Sequence, residues 1–258
     1  YDVSIGPNMT LFNHARANGV DAEVRDNQYV VAAPNPHCRF ASLGPDFVVG
    51  ERNIGDTSFD VNGLVYDWFD KWLKGDEDAM DPETPHVQYY TMGSNIWQGD
   101  DQWPPVAAEQ VKMYLTSDGN ANSLYGDGKL SFNAPSGNGS DSYDYDPMIP
   151  VKTIGGGDCC NGGIVTAGAF DQRTIEARQD VLVYTSDPLD EPIEVTGFVD
   201  AILHVSSDAK DTDFAVKLVD VAPDGTAYII DDTIFRARYR EGYDKKVLRK
   251  KVKYMKLI

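Results

Sequence analysis

Apolar residues in the first part of the chain recur at helical spacing in two segments. Across residues 8–18 an apolar stripe follows Asn8, a candidate N-cap, and stops at Gly19. A second stripe follows Asp60, another candidate cap, and stops at Gly75. The apolar side chains are Met9, Leu11, Phe12 and Ala15 in the first segment, and Val61, Leu64, Val65, Trp68, Phe69, Trp72 and Leu73 in the second. This spacing favours core packing over a substrate cage for the aromatic side chains of the second helix.

A short apolar run at residues 29–33 lies between these helices and ends at Pro34 and Pro36. Such a run predicts a buried strand whose end opens into a loop.

The period of the apolar pattern changes from about 3.6 to 2 after the charged, proline-bearing residues 76–85. Short segments rich in β-branched and aromatic residues then follow at residues 87–93, 111–117, 129–135, 180–186, 193–207, 213–225 and 227–232. They predict an all-β domain over residues 86–258, after a first domain over residues 1–80. Residues 136–163 are poor in apolar side chains and predict long surface loops.

The charge of the chain excludes two classes of partner. Of its 258 residues, 23 are Lys or Arg and 41 are Asp or Glu, so the net charge is −18. This balance predicts no binding to nucleic acid and none to an anionic membrane surface. No stretch approaches the roughly 20 apolar residues that a membrane span requires. Because Tyr1 is not an initiator Met, we expect the gene to start further upstream, so the lack of a signal peptide is uninformative.

The spacing of the cysteines and of the acidic loop residues predicts neither a metal site nor a cofactor site. Cys38, Cys159 and Cys160 are too few for a disulfide framework or a zinc site built from paired CxxC units. No histidine is near the vicinal pair in sequence, so a structural loop, with or without a vicinal disulfide, is favoured over a metal site. Calcium is disfavoured at Asp141, Asp144 and Asp146, since the closing Glu of an EF-hand is absent. The Asp208, Asp211 and Asp213 group predicts a solvated turn.

Seven pieces of sequence, taken in order, resemble one family of hydrolases. They are the opening YD before a helix, AAPNPH, WFDKWLKG, VQYYTMGSNIWQ followed by WPP, YDPMIPV leading to GGG, FDQRTIEARQDVLVYTSDPL and DTDFAVKLVDVAPDGTA. Together they resemble the α/β-hydrolases with a C-terminal β-sandwich that include cocaine esterase, X-Pro dipeptidyl-peptidases, glutaryl acylases and α-amino-acid ester hydrolases.

The resemblance implies a fold in two parts. Residues 1–80 correspond to the C-terminal segment of the α/β-hydrolase domain, and residues 86–258 to a galactose-binding-like jelly-roll sandwich. Both domains are expected to be incomplete. The first corresponds only to the end of a hydrolase domain, and the second stops, after the run from residue 236 to 258, where relatives continue into further strands.

The resemblance also implies a catalytic role for two residues. Asp2 corresponds to the acid of a Ser-Asp-His triad and His37 to its general base, in the chain order of α/β-hydrolases. The chain has no GxSxG motif, so the nucleophilic serine is expected upstream of Tyr1 and the chain alone is expected to be inert. Asn35 and Ala33 stand where the family has tryptophan and glycine, which changes the packing near His37.

The expected reaction is acyl transfer to water, with an ester as the first choice of substrate and an X-Pro or acylase-type amide as the second. The expected partners are a small-molecule ester or amide and the missing N-terminal hydrolase segment, in the same chain or as a separate subunit. A homo-oligomer is compatible with the resemblance, which also favours a periplasmic or secreted location. The alternative is a non-catalytic sandwich that binds carbohydrate through loop tyrosines 125, 143 and 145, or that braces the hydrolase domain.

Overall fold

The computed structural model describes residues 1–137, 139–160 and 163–248, together with the backbone of residues 255–257. The helices in this part of the chain are α1 Ile5–Asn18, α2 Ala22–Asp26, α3 Val61–Phe69 and α4 Arg173–Glu176. The strands are β1 Val30–Ala32, β2 Val48–Val49, β3 Arg52–Asn53, β4 Val87–Thr91, β5 Ile96–Asp100, β6 Tyr114–Thr116, β7 Lys129–Ser131, β8 Leu203–Val205, β9 Asp213–Val221, β10 Ala227–Arg236 and β11 Met255–Leu257. None of the described helices combines the length and apolarity needed to cross a bilayer.

Helix α1 begins earlier than its apolar stripe predicts. Its N-cap position is Ser4, so the prediction that Asn8 caps the helix is wrong. Pro7 is tolerated inside the first turn because the backbone N–H groups there have no partner within the helix. Met9 and Phe12 are buried as predicted, whereas Leu11 is exposed.

Helix α3 has the predicted ends but not the predicted surroundings. The Asp60 side chain accepts a hydrogen bond from the Gly63 N–H at 2.8 Å, and a π-helical turn at Asp70–Lys74 stops at Gly75 in the left-handed region. No residue of α3 is buried. Phe69 and Trp72 are exposed, so the prediction that this aromatic face packs in a core is wrong for the part of the chain described.

Strand β4 is the centre of the main sheet. It pairs in parallel with β1 and antiparallel with β5, in the order β1-β4-β5. Its side chains alternate between two faces, as in any strand. Val87 and Tyr89 pack with Met9 and Phe12 of α1, while Tyr90 packs on the opposite side. The residues around Tyr90 are Val49 and Ile54, with Tyr1, Phe47, Met92 and Trp97 at the margin.

The region after residue 91 is built from antiparallel ribbons. Strands β6 and β7, β8 and β11, and β9 and β10 form pairs, and the longest pair, β9 with β10, contains a register shift between Ile229 and Asp231. The region contains few helical residues, which confirms the coarse prediction of an all-β region. Closure of these ribbons into a jelly roll and the assignment of residues 1–80 to an α/β-hydrolase domain stay predictions.

Several predicted strands are shorter in the structure or reduced to single bridges. Residues 193–207 contribute only β8, and residues 180–186 contribute isolated bridges at Leu182 and Thr185. The described residues within the predicted loop 136–163 contain no named helix or strand. Residues 138, 161 and 162 of that loop, and residues 249–254 and 258 of the C-terminal run, lie outside the described residues.

The two regions are held together by main-chain and side-chain contacts. Gly50 forms a parallel bridge with Ala169, and the Arg52 guanidinium lies 2.7 Å from the Asp220 carboxylate. The Tyr1 hydroxyl donates to the Ile229 carbonyl at 2.9 Å. Gly50 has a φ of +65°, and a Cβ there would overlap the Ala169 carbonyl oxygen, so only glycine allows this approach.

Candidate active site

Asp2 is held at the start of α1 by the residue that occupies the N-cap position. Its Oδ1 accepts two hydrogen bonds from Ser4, one from the backbone N–H at 2.8 Å and one from the hydroxyl at 2.6 Å. These bonds fix the orientation of the carboxylate, so that Oδ2 is free to face another group.

That group is the imidazole of His37. His37 lies in the loop that follows β1, as the proline-bounded strand end predicts, and its Nδ1 is 3.0 Å from Asp2 Oδ2. The side chains of His37 and Asp2 are 33% and 25% exposed, so the pair is shielded yet reachable. Beside it, Asn35 is buried and its Nδ2 donates to the Pro36 carbonyl at 2.8 Å.

The electrostatics of Asp2 favour its ionised form. Burial is the largest single influence and acts to raise its pKa, but the hydrogen bonds from Ser4 and His37 together outweigh burial and lower the pKa. Because an ionised carboxylate can only accept, His37 Nδ1 must carry a proton. In a neutral imidazole the other nitrogen, Nε2, is then an acceptor available to a third group.

The vicinal cysteines lie next to this pair, which their distance in the chain did not predict. One ring nitrogen of His37 and the Sγ atoms of Cys159 and Cys160 all lie within 4.8 Å of one another. Both thiols are free and hydrogen-bonded to each other, so the loop is present without a vicinal disulfide. The way this long loop packs brings the cysteines to His37, and that packing has no signature in the local sequence.

Glycines bring the cysteine loop to Asp2. Gly156 bridges Gly168 across the loop, and a Cβ on Gly157 would lie 3.7 Å from the Asp2 backbone. Cys160 has a φ of +60°, a left-handed conformation that is uncommon for a non-glycine residue. In extended backbone two adjacent side chains point to opposite sides. The turn at Cys160 allows both thiols to face His37.

The Cys159 thiol is kept in its protonated form despite its position beside a histidine. The hydrogen bond with Cys160 is the largest influence on Cys159, followed by burial and nearby charges, and together they raise its pKa to about 11. A thiol with this pKa is protonated near neutral pH, whereas the reactive form of cysteine is the thiolate. The Cys159 thiol is therefore not in the form that attacks a substrate.

Asp141 and Asp146, also singled out in the sequence, accept hydrogen bonds from nearby groups. Asp141 accepts from Ser117, from the Ala121 N–H at 2.9 Å and from the Tyr184 hydroxyl at 2.7 Å. Asp146 accepts from the Met148 N–H. Within the described residues, the sets of three or more groups able to hold a metal do not include these carboxylates.

Two of the three carboxylates around residue 211, where the sequence predicts a solvated turn, also form ion pairs. Asp211 pairs with Arg238 at 2.5 Å, and Asp213 pairs with Arg236 at 2.7 Å across the β9–β10 ladder. These pairs fasten the end of the ribbon.

The remaining histidines lie away from these groups. His14 bonds Asn18 within α1, and His86 stacks on Tyr29 with ring centroids 4.8 Å apart. His204 lies in β8.

Comparison with protein families gives one match over most of the chain. The model of the X-Pro dipeptidyl-peptidase C-terminal non-catalytic domain matches residues 81–254. This range excludes both Asp2 and His37.

Individual relatives are named as hydrolases. Cocaine esterase from Rhodococcus sp. (strain MB1 Bresler) is 43% identical over 174 residues, which cover 67% of this chain and 30% of the esterase. An α-amino acid ester hydrolase of known structure has a TM-score of 0.67 at 26% identity, covering 89% of this chain and 38% of its own. An aminopeptidase from a marine sediment Thaumarchaeota archaeon has a TM-score of 0.59 at 26% identity, with coverage of 81% and 35%. The chain thus spans about a third of the length of these relatives.

Proposed function

The chain belongs to the family of the X-Pro dipeptidyl-peptidase C-terminal domain, and from that premise we propose that it is part of a serine hydrolase to which it contributes the acid and the base of a catalytic triad. Asp2 is the acid and His37 the base. The observation that carries the proposal is the 3.0 Å contact between His37 Nδ1 and Asp2 Oδ2. The hydrolase names of the relatives support the reaction class.

The proposed chemistry starts with a serine hydroxyl presented to His37 Nε2. As the serine oxygen attacks the substrate carbonyl, Nε2 takes its proton, and a tetrahedral intermediate forms. His37 then gives that proton to the leaving group as the bond to it breaks, which leaves an acyl-serine. A water molecule then attacks the acyl-serine while His37 takes its proton. His37 returns that proton to the serine oxygen as the carboxylic acid product leaves. Throughout, the Asp2 carboxylate holds the ring and stabilises the imidazolium.

We place the serine and the oxyanion donors in a hydrolase segment that is not among these residues. Two observations support this segment as a partner, whether it belongs to the same polypeptide or to a separate subunit. The relatives are about three times as long as the chain. Helix α3 and the π-helical turn after it also present an apolar face, with Tyr66 68% and Leu73 76% exposed. A packed neighbouring domain would cover such a face.

An ester is the substrate class that we propose first. The relative with 43% identity is named as an esterase, and the structural relative with the higher TM-score of the two is named as an ester hydrolase. Amide cleavage at a peptide is the second choice, because the other structural relative is named as an aminopeptidase.

A bracing role is proposed for the region after residue 81. Contacts such as Arg52 with Asp220, and Tyr1 with Ile229, tie that region to the segment that carries Asp2. The Arg52 guanidinium also lies over the Tyr228 ring, 5.6 Å from its centroid. These contacts support bracing over carbohydrate binding, for which exposed loop residues such as Tyr125 are the only support in the described residues.

A fluorophosphonate probe on the full-length protein tests the triad. We expect one serine outside these 258 residues to be labelled in the wild type, and His37→Gln to slow labelling by several orders of magnitude. His14→Gln is the matched control, because His14 lies on α1 away from Asp2, and it should label at the wild-type rate. Labelling of His37→Gln at the wild-type rate, or a label on a residue of this chain, would contradict the proposal.

A further inference from the structure

Three ligand atoms of the kinds that bind soft metals converge beside Asp2. They are a ring nitrogen of His37 and the Sγ atoms of Cys159 and Cys160, all within 4.8 Å of one another. Both cysteines are free, and the second is exposed, so an ion can reach the group from solvent.

The distances suit one ion with tetrahedral geometry. Zinc binds thiolate sulfur at about 2.3 Å and imidazole nitrogen at about 2.0–2.1 Å, which places its ligands about 3.5–4 Å from one another. The observed group needs to contract by no more than about 1.3 Å, and both thiols lie on one loop, at the left-handed residue Cys160 and the residue before it. Two sulfurs and one imidazole favour zinc over calcium, magnesium or manganese, which prefer oxygen.

Asp2 provides the outer support that such sites use. A histidine that binds zinc through one nitrogen commonly donates the other N–H to a carboxylate, which fixes the ring and its tautomer. Asp2 Oδ2 meets His37 Nδ1 at 3.0 Å, which leaves Nε2 for the ion. The two bonds from Ser4 orient the carboxylate in turn.

We propose that His37, Cys159 and Cys160 form a binding site for a single zinc-like cation, with a fourth position open to water. Both thiols lose their protons to solvent as the ion binds, because the metal ligand is the thiolate. The site goes beyond the proposed hydrolase function and does not require it. If the hydrolase function holds, the bound ion occupies the nitrogen that would accept the serine proton, and the metal-bound state is therefore an inactive one.

Titration of the reduced full-length protein with Co²⁺ alone tests the site. Thiolate ligands give Co²⁺ an intense ligand-to-metal charge-transfer absorption, and tetrahedral geometry intensifies its visible bands. We expect one equivalent to bind with both features, and one equivalent of Zn²⁺ to displace it. Cys159→Ser, Cys160→Ser and His37→Gln should each weaken Co²⁺ binding at least tenfold.

Matched controls make the result specific. Cys38→Ser removes the remaining cysteine of the chain, and His14→Gln removes a histidine outside the group; both should bind Co²⁺ as the wild type does. Circular dichroism of each variant separates lost binding from lost folding. Absence of charge-transfer absorption in the wild type would overturn the proposal, as would equal binding by the wild type and the Cys159→Ser/Cys160→Ser double variant. The absorption is read without substrate, so failure of the site and failure of the hydrolase function are distinguishable.

Discussion

Asp2 and Asp141 are two partly buried carboxylates that each accept hydrogen bonds from three donors, yet they belong to different kinds of network. The donors to Asp2 are the Ser4 N–H, the Ser4 hydroxyl and the His37 imidazole. Those to Asp141 are the Ser117 hydroxyl, the Ala121 N–H and the Tyr184 hydroxyl. In both cases burial opposes ionisation and the hydrogen bonds outweigh it, so that both pKa values are lowered.

The two networks differ in the groups that lie beyond the carboxylate. Beyond Asp2 stands a ring with a second nitrogen that can exchange a proton with a third group. Beyond Asp141 stand hydroxyls and an amide that do not titrate near neutral pH, and burial together with Asp141 raises the pKa of Tyr184 further. The first network can take part in chemistry, whereas the second fastens the loop at residue 141 to two other segments. A lowered carboxylate pKa alone does not distinguish these roles.

The largest expected effect comes from removing the negative charge beside His37. Asp2→Asn in the full-length protein should lower kcat about 10⁴-fold, because the amide no longer selects the tautomer with a proton on Nδ1. Steady-state kinetics on an ester substrate measure it. The same substitution at Asp141 is the control and should leave kcat within about twofold of the wild type. Equal losses of kcat in the two variants would contradict the division of roles.

The second effect is on stability, and it is expected at Asp141, where the substitution should leave kcat nearly unchanged. Asp141→Asn replaces one acceptor oxygen by NH₂ and removes the charge that strengthens these hydrogen bonds. Either the Ala121 N–H then faces another donor, or the Tyr184 hydroxyl must turn from donating to accepting. We expect a loss of about 1–3 kcal/mol in the free energy of unfolding, measured by urea denaturation. A loss below the error of the measurement would show that the loop is held by other contacts.

Acid should close the stability gap between the wild type and Asp141→Asn. An unfolded aspartate has a pKa of about 3.9, and the pKa of folded Asp141 lies lower. Below about pH 4 the unfolded chain therefore binds a proton that the folded chain does not, so the stabilisation present at neutral pH is lost as the pH falls through the folded pKa. Urea midpoints at pH 7 and at about pH 3 measure the gap. A gap that is equal at both pH values would contradict an ionic role for Asp141.

The smallest effect is expected when one donor of the Asp141 network is removed. Tyr184→Phe deletes a single hydroxyl and keeps the ring, so the free energy of unfolding should fall by about 1 kcal/mol. In a chain of this size that corresponds to a decrease of about 2–4 °C in Tm. Tyr125→Phe, at an exposed tyrosine, is the matched control and should not change Tm. A larger decrease for the control than for Tyr184→Phe would refute the assignment.

Local features of the fold were predictable because their causes are local. The cap at Asp60 and the stop at Gly75 are decided by the residues themselves, and strands β9 and β10 result from alternation of apolar and polar side chains. The start of α1 was not predictable in this way, because the apolar stripe begins only after Pro7.

The spacing of apolar residues along a helix does not show what covers the apolar face. The spacing of Trp68, Phe69 and Trp72 predicts an apolar face and favours a core, but the face is largely exposed in the described structure. Periodicity specifies that a face is apolar and leaves open which neighbour covers it.

The candidate site was predictable only through motifs. Asp2 and His37 were placed by resemblance, and their contact is consistent with that placement while their role stays a prediction. The position of Cys159 and Cys160 beside His37 depends on how a long loop packs near the start of α1, for which no pattern within the loop is informative.

Strand β4 limits how this part of the protein can be exchanged in evolution. It follows the charged linker at residues 76–85, yet it pairs with β1 over three residue positions and covers Met9 and Phe12 of α1. A recombination event in the linker would replace β4 together with everything after it. The incoming strand would have to match the hydrogen-bond register of β1 on one edge and the shapes of two separate cores on its faces. The region after residue 81 is therefore poorly suited to transfer between proteins as a separate domain, although a family model matches it as one unit.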